Sequence, residues 1–268
     1  MKRFSPTLER TSKAVIFGLL LSSISQFGHA TVVEIRTSLG NVQVNLFDNT
    51  TPQTVANFLQ YANPSAGAYV NNVVHRVEPN FVVQAGGFNY TGDFPELDPV
   101  AIGTPVQNEP KLSNVRGTIA MAKQSGNVNS ATSQWFINLA NNSANLDVQN
   151  GGFTVFGQVL GDGMDVVEAI ADVTLFNAGG ALAKIPLRNY TSADVTNNVE
   201  VTVDNLVIIS EIVVIDPAVS THPEIVPVNN TLINSPSGGD SNSGGGGGAM
   251  GWLSLMVLLL VGRKVRRA

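Results

Sequence analysis

Between His75 and Phe88 the chain reads HRVEPNFVVQAGGF, which sets one arginine, Arg76, and one glutamine, Gln84, in a run dominated by apolar residues. Arginine keeps its charge and offers five N–H donors in a rigid fork, so on an apolar strand surface it needs an acceptor. Glu78 lies two residues along, on the same strand face, and would serve as an ion-pair partner. The other reading aims the fork at something outside the chain.

Several chemistries are excluded by composition. The 268 residues contain no cysteine, which rules out disulfides, thiolate metal sites and thiol nucleophiles. Of three histidines, His29 falls in the N-terminal segment treated below, and His222 lies in the proline-rich stretch THPEIVPV. That leaves His75 without a second histidine nearby, too little for a zinc site or a histidine-based triad. Neither metal nor cofactor is expected. Gly86-Gly87 reads as a close approach of backbones rather than a phosphate cradle, because no helix with a P-loop lysine follows.

The elements that must hold Arg76 and Gln84 are mostly strands. Val32–Ile35 and Val42–Leu46 alternate apolar and polar residues across Ser38-Leu39-Gly40-Asn41, which predicts a β-hairpin. Thr51-Pro52 opens a helix whose face carries Val55, Phe58, Leu59 and Ala62, and Asn63-Pro64 ends it. Strands are expected over Val73–Val77, Phe81–Ala85, Val115–Ala122, Gln134–Leu139, Phe153–Leu160 and Leu206–Ile215. A second helix is expected over Met164–Ala171, with Val166, Val167 and Ile170 at helical spacing. Residues 174–204, rich in Asn, Thr and Ala, read as a long irregular excursion. Many strands with two short helices fit a mainly β fold, a closed antiparallel barrel plugged at its ends by the helices.

Three further segments complete the pattern: GTIAMAK (Gly117–Lys123), SATSQWFINL (Ser130–Leu139) and FTVFGQVLGDGMDVVEAI (Phe153–Ile170). Together with HRVEPNF and VVQAGGF they resemble the cyclophilins, a family of peptidyl-prolyl cis-trans isomerases, over roughly residues 31–216 and most of all the exported bacterial branch. The resemblance implies an eight-stranded barrel capped by two helices, a monomer, no cofactor, and proline-containing polypeptides as substrates. It places Arg76 on the catalytic arginine and Gln84 on the glutamine that orients it. Phe81, Val82, Phe136 and Leu146 fall on the walls of the proline pocket, with Phe153 at its rim. Gln134 and the Ala122-Lys123 backbone fall where the family binds the peptide main chain. Departures are visible as well. Val82 stands where methionine is common, Phe153 where histidine or tyrosine is, and Asn80 and Ala85 replace glycines. Asn145 replaces the tryptophan that grips cyclosporin in many eukaryotic members, which implies weak binding of that drug. These departures leave a second reading open, a catalytically weak proline-peptide-binding module or chaperone on the same scaffold.

The two ends read as addresses rather than domains. Residues 1–30 carry Lys2, Arg3, Arg10 and Lys13, then the apolar run Ala14–Leu21, then Gly28-His29-Ala30, the order of a signal peptide with cleavage expected after Ala30. Residues 217–248 pass from prolines into Gly244–Gly248 and read as a disordered linker. Residues 249–268 join a short apolar run to Arg263, Lys264, Arg266 and Arg267, resembling a GlyGly-CTERM sorting tail of the kind cut by the protease rhombosortase, with a plain C-terminal membrane anchor as the alternative. Both ends predict a folded part outside the cytoplasm, periplasmic or at the cell surface, meeting the membrane only through its tail. Residues 31–248 hold seven basic and nineteen acidic side chains, a net charge of −12 that argues against nucleic acid as a partner.

Overall fold

The computed structural model describes residues 31–217, 221, 222 and 224–234, apart from residues 64 and 66, so the expected leader and sorting tail lie outside the described residues. The predicted hairpin forms as β1 (Val32–Thr37) and β2 (Gly40–Leu46), paired antiparallel with Thr37 opposite Gly40. Its inward residues Val33, Ile35, Val42, Val44 and Leu46 are buried in the main core. The first helix, α1 (Pro52–Ala62), carries its proline in the first turn, where a missing N–H costs nothing. Phe58 on its buried face has its ring centroid 5.0–6.4 Å from those of Tyr69, Trp135 and Phe156.

The stretch expected as one strand from Val73 to Val77 divides into β3 (Asn72–Val73) and β4 (Arg76–Glu78). The division follows a change of partner. The Val74 N–H donates to the Val207 carbonyl at 3.0 Å, while the Val77 N–H donates to Lys184 at 3.0 Å. Next come β5 (Val82–Ala85), β6 (Phe88–Asn89), β7 (Asp98–Pro99), β8 (Thr118–Met121), β9 (Trp135–Asn138) and β10 (Val155–Val159). After them, β11 (Leu175–Phe176) and β12 (Ile185–Pro186) form a separate pair, and β13 (Ile208–Asp216) closes the series. The large sheet runs β4-β5-β9-β8-β10-β2-β1-β13-β3, extended by β6 and β7. Because only Val74 and His75 separate β3 from β4 in the chain, the sheet curls back on itself. Counting β3 and β4 as one wall segment gives eight walls, but the sheet has eleven strands and β3 and β4 do not pair with each other, so the strand count departs from the eight expected.

The second predicted helix is α3 (Gly163–Ala171), which sends Met164, Val167 and Ile170 into the main core. Two one-turn helices were not foreseen, α2 (Ser143–Leu146) and α4 (Ser192–Thr196). The 174–204 excursion is folded rather than irregular. It holds the β11–β12 pair, a 3₁₀ turn at Gly180–Leu182, and α4, which has a Thr191–Asp194 capping box. Leu182, Ile185, Leu187, Tyr190 and Val201 pack there against Val73, Leu97, Leu206 and Ile208, giving the excursion a core of its own. Part of the stretch expected as linker is likewise attached to the barrel. Ser113 donates its N–H to the Val228 carbonyl at 2.8 Å, and Asn230 donates from its N–H to Lys111 and from Nδ2 to the Asp147 carbonyl, both at 2.9 Å.

Candidate active site

Residues opposite one another in antiparallel strands project to the same side of the sheet, so register decides which side chains meet. Arg76 on β4 faces Gln84 on β5, Gln84 faces Phe136 on β9, and Phe136 faces Ala120 on β8. One register step away, Glu78 faces Val82 and Val82 faces Asn138. The alternate residues Val77, Val83, Ile119 and Ile137 fill the barrel interior. Arg76, Glu78, Val82, Gln84 and Phe136 therefore share the outer face of one sheet segment.

On that face the polar groups form a chain. Arg76 Nη1 donates to Gln84 Oε1 at 3.0 Å, and Gln84 Nε2 donates to Gln134 Oε1 at 2.9 Å. Arg76 Nη2 also donates to Glu78 Oε1 at 2.8 Å, so the ion pair expected as the simpler reading exists beside the contact with Gln84. The guanidinium spends two of its five donors on these partners. With its side chain 18% exposed, it can present the rest to an incoming acceptor.

Beside the fork, Val82, Ala122, Phe136, Leu146 and Phe153 belong to one apolar cluster, with Phe81 packed on it. Phe136 and Phe153 meet edge to face at 5.9 Å between centroids. Phe81 is half-buried, whereas Val82, Phe136 and Leu146 are each 1% exposed. These walls spend most of their surface on one another and leave a shallow contact for a ligand. A concavity of about 820 Å³ lies elsewhere, between α1 and the segment Ala101–Gln107.

Buried amides and one carboxylate position the walls. The Phe81 carbonyl accepts from the Leu139 N–H and from Asn142 Nδ2, both at 2.9 Å, and Asn142 Nδ2 also donates to Asn138 Oδ1 at 2.7 Å. Leu146 ends α2 next to Asp147, whose buried carboxylate accepts from the Asn114 N–H at 2.7 Å and from Ser113 Oγ at 2.5 Å. Sequence reasoning missed Asn114, Asn138 and Asn142, because a buried asparagine looks like a loop asparagine until its partners are known. The two replaced glycines prove compatible with the backbone. Asn80 adopts φ +57°, a left-handed conformation that asparagine tolerates, and Ala85 sits in ordinary strand geometry. The demanding position is Gly86, at φ +82°, where an added Cβ would lie 2.4 Å from the Ser133 carbonyl oxygen.

Two basic groups at the site depart from their usual titration. His75 is buried with its ring edge-on to Phe88, and burial, then the neighbouring Arg76 charge, pulls its pKa down to about 4. It is a neutral packing residue. Lys123 is buried too, and loss of water lowers it to about 8. Its Nζ donates to the carbonyls of Asn150 and Gly152 at 2.8 and 2.6 Å and lies 4.9 Å from the centroid of the Phe153 ring. Lys123 therefore fixes the turn that delivers Phe153. All ten residues singled out in the sequence meet here: Arg76, Gln84 and Gln134 by hydrogen bonds, Phe81, Val82, Ala122, Phe136, Leu146 and Phe153 by packing, and Lys123 through Phe153. Among the described residues no three His, Cys, Asp or Glu side chains gather as a metal site.

Comparison with known proteins shows the family. Residues 32–192 match the family model described as "Cyclophilin type peptidyl-prolyl cis-trans isomerase/CLD". A peptidyl-prolyl cis-trans isomerase of Acinetobacter baylyi is 42% identical over 163 residues, covering 60% of this chain and 81% of the relative. Isomerase A of Dickeya dadantii is 40% identical over 178 residues (64% and 88%), and isomerase B of Escherichia coli is 38% identical over 154 (55% and 88%). A crystal structure of a Cryptosporidium parvum cyclophilin-type isomerase in the presence of the dipeptide Ala-Pro aligns with TM-score 0.48 and 22% identity, over 69% of this chain and 99% of that one. With three-fifths of its length matched by the family model and its barrel built as described, the chain belongs to the cyclophilin-type peptidyl-prolyl cis-trans isomerases.

Proposed function

We propose that Arg76 is the catalytic donor of this isomerase, that Gln84 orients it, and that Phe81, Val82, Phe136, Leu146 and Phe153 receive the proline ring. Rotation about an X–Pro bond faces a barrier of about 20 kcal/mol, because twisting destroys amide resonance. At the twisted state the proline nitrogen regains a lone pair that can accept a hydrogen bond. A guanidinium poised over it bonds more strongly to that state than to either planar isomer, which is the condition for lowering a barrier. The apolar wall keeps the ring still while the preceding carbonyl swings, and by excluding water it strengthens the new hydrogen bond. Gln134 and the Ala122-Lys123 backbone border the path of the peptide main chain. The observation that carries this reading is the hydrogen-bonded row Arg76–Gln84–Gln134 beside the Phe136 wall.

The clients are extended, proline-containing segments of proteins outside the cytoplasm. This address rests on the basic and apolar leader and on the glycine-rich, basic-ended tail. Intact mass of the mature protein tests it, through the predicted cleavage after Ala30 and removal or retention of the tail. Among the described residues no helix is long and apolar enough to cross a membrane.

Exchange spectroscopy on a short X–Pro peptide tests the site. Arg76→Ala is expected to slow catalysed exchange about a hundred- to thousandfold, the cost of removing one oxyanion-hole type donor. Equal rates from both proteins would refute the assignment and leave the barrel as a proline-peptide-binding module.

A further inference from the structure

We infer that Glu78 is a positioning residue for Arg76 and that the 174–204 excursion controls it through Lys184. This rests on the assignment of Arg76 as the donor. One hydrogen bond, from Nη1 to Gln84, leaves a guanidinium free to swing about that contact. A second, from Nη2 to Glu78 Oε1, fixes the plane of the fork. Glu78 is held in turn, because its other oxygen, Oε2, accepts from Lys184 Nζ. The Lys184 carbonyl accepts the Val77 N–H on the same strand, so the lysine is tied to β4 by its backbone as well as by its ammonium. Arg76 and Glu78 are only 18% and 22% exposed, which limits screening of their pair. Lys184 lies 106 residues from Glu78 and comes from a segment with its own core, so the state of that segment reaches the donor through one carboxylate.

The test uses the full chain and compares Glu78→Gln, Lys184→Met, their double variant and Arg76→Ala. Two quantities are read: kcat and KM on an X–Pro peptide, and the nitrogen resonances of the Arg76 guanidinium. Glu78→Gln should lower kcat about three- to tenfold with little change in KM, the scale of one charge-assisted hydrogen bond in a partly buried site. The Arg76 Nη resonances, separate when both are anchored, should broaden or merge. Lys184→Met should shift both readouts in the same direction by less, and the double variant should be no worse than Glu78→Gln alone. Lys184→Arg should restore wild-type values. Unchanged kcat and unchanged Arg76 resonances in Glu78→Gln would overturn the proposal, as would fully additive effects in the double variant. If Glu78→Gln does not fold, the 48% exposed Lys184 decides through Lys184→Met and Lys184→Arg. Failure of the parent reading is distinguishable, because Arg76→Ala would then keep wild-type activity.

Discussion

Acid is the perturbation that should expose how the site is built, and His75 is the group through which it should act. In the folded chain this ring is buried beside Arg76, with a pKa of about 4, while the unfolded value is 6.5. Burial is the larger cause and the Arg76 charge the second, with a weaker opposing pull from the Val73 backbone. Between pH 6.5 and 4 the unfolded chain therefore binds a proton that the folded chain refuses. Stability is fully present above pH 6.5 and falls as pH drops through that window, levelling off below the folded pKa. The loss from this one residue is about 2 kcal/mol at pH 5 and about 3 kcal/mol at pH 4. Urea titrations at half-unit steps from pH 7 to 4 would measure the slope, and subtracting the profile of His75→Leu removes the share due to carboxylates. The ring protons of His75 followed by NMR give a direct check. A His75 that titrates between pH 6 and 7, or a variant with the same slope as wild type, would refute the reasoning.

Other expectations concern single positions. Gly86→Ala should cost at least about 2 kcal/mol, read as a lowered urea midpoint, because it combines a positive φ with a Cβ pressed into the Ser133 carbonyl. For Lys123 the folded pKa of about 8 lies below the unfolded 10.5, so the unfolded chain holds the extra proton between those values and stability should rise with pH across them. Lys123→Met should abolish that rise, and a profile identical to wild type would contradict the assignment.

How far the sequence was legible depended on the range of the contacts involved. The hairpin β1–β2 and the helices α1 and α3 are written in local period, and the structure follows it to within a residue or two. The ten residues proposed for the site were picked out through blocks whose order and spacing resemble the family's, and the structure places them side by side. What stayed hidden was register between distant segments. Nothing local to Val73–Val77 announces that the chain changes partners at His75, from the Val207 carbonyl to Lys184. Nothing local to Asn142 or Asp147 tells that they are buried anchors for Phe81 and Leu146 rather than loop polar groups. The excursion hid its core for a related reason, since Leu182, Ile185, Leu187 and Tyr190 fit neither a helical nor a strand period while packing together in space.

The change of partner at His75 also bears on whether a second chain could add to the sheet. A barrel whose wall breaks between β3 and β4 leaves β4 as the last strand of its sheet, and an uncovered strand edge is a template onto which a second chain can add. Here the Val77 N–H is already taken by the Lys184 carbonyl, and a charged pair, Glu78 with Lys184, stands beside it. The segment that carries Lys184 thus covers the barrel's seam, and trimming it should yield a chain that aggregates before it loses its fold.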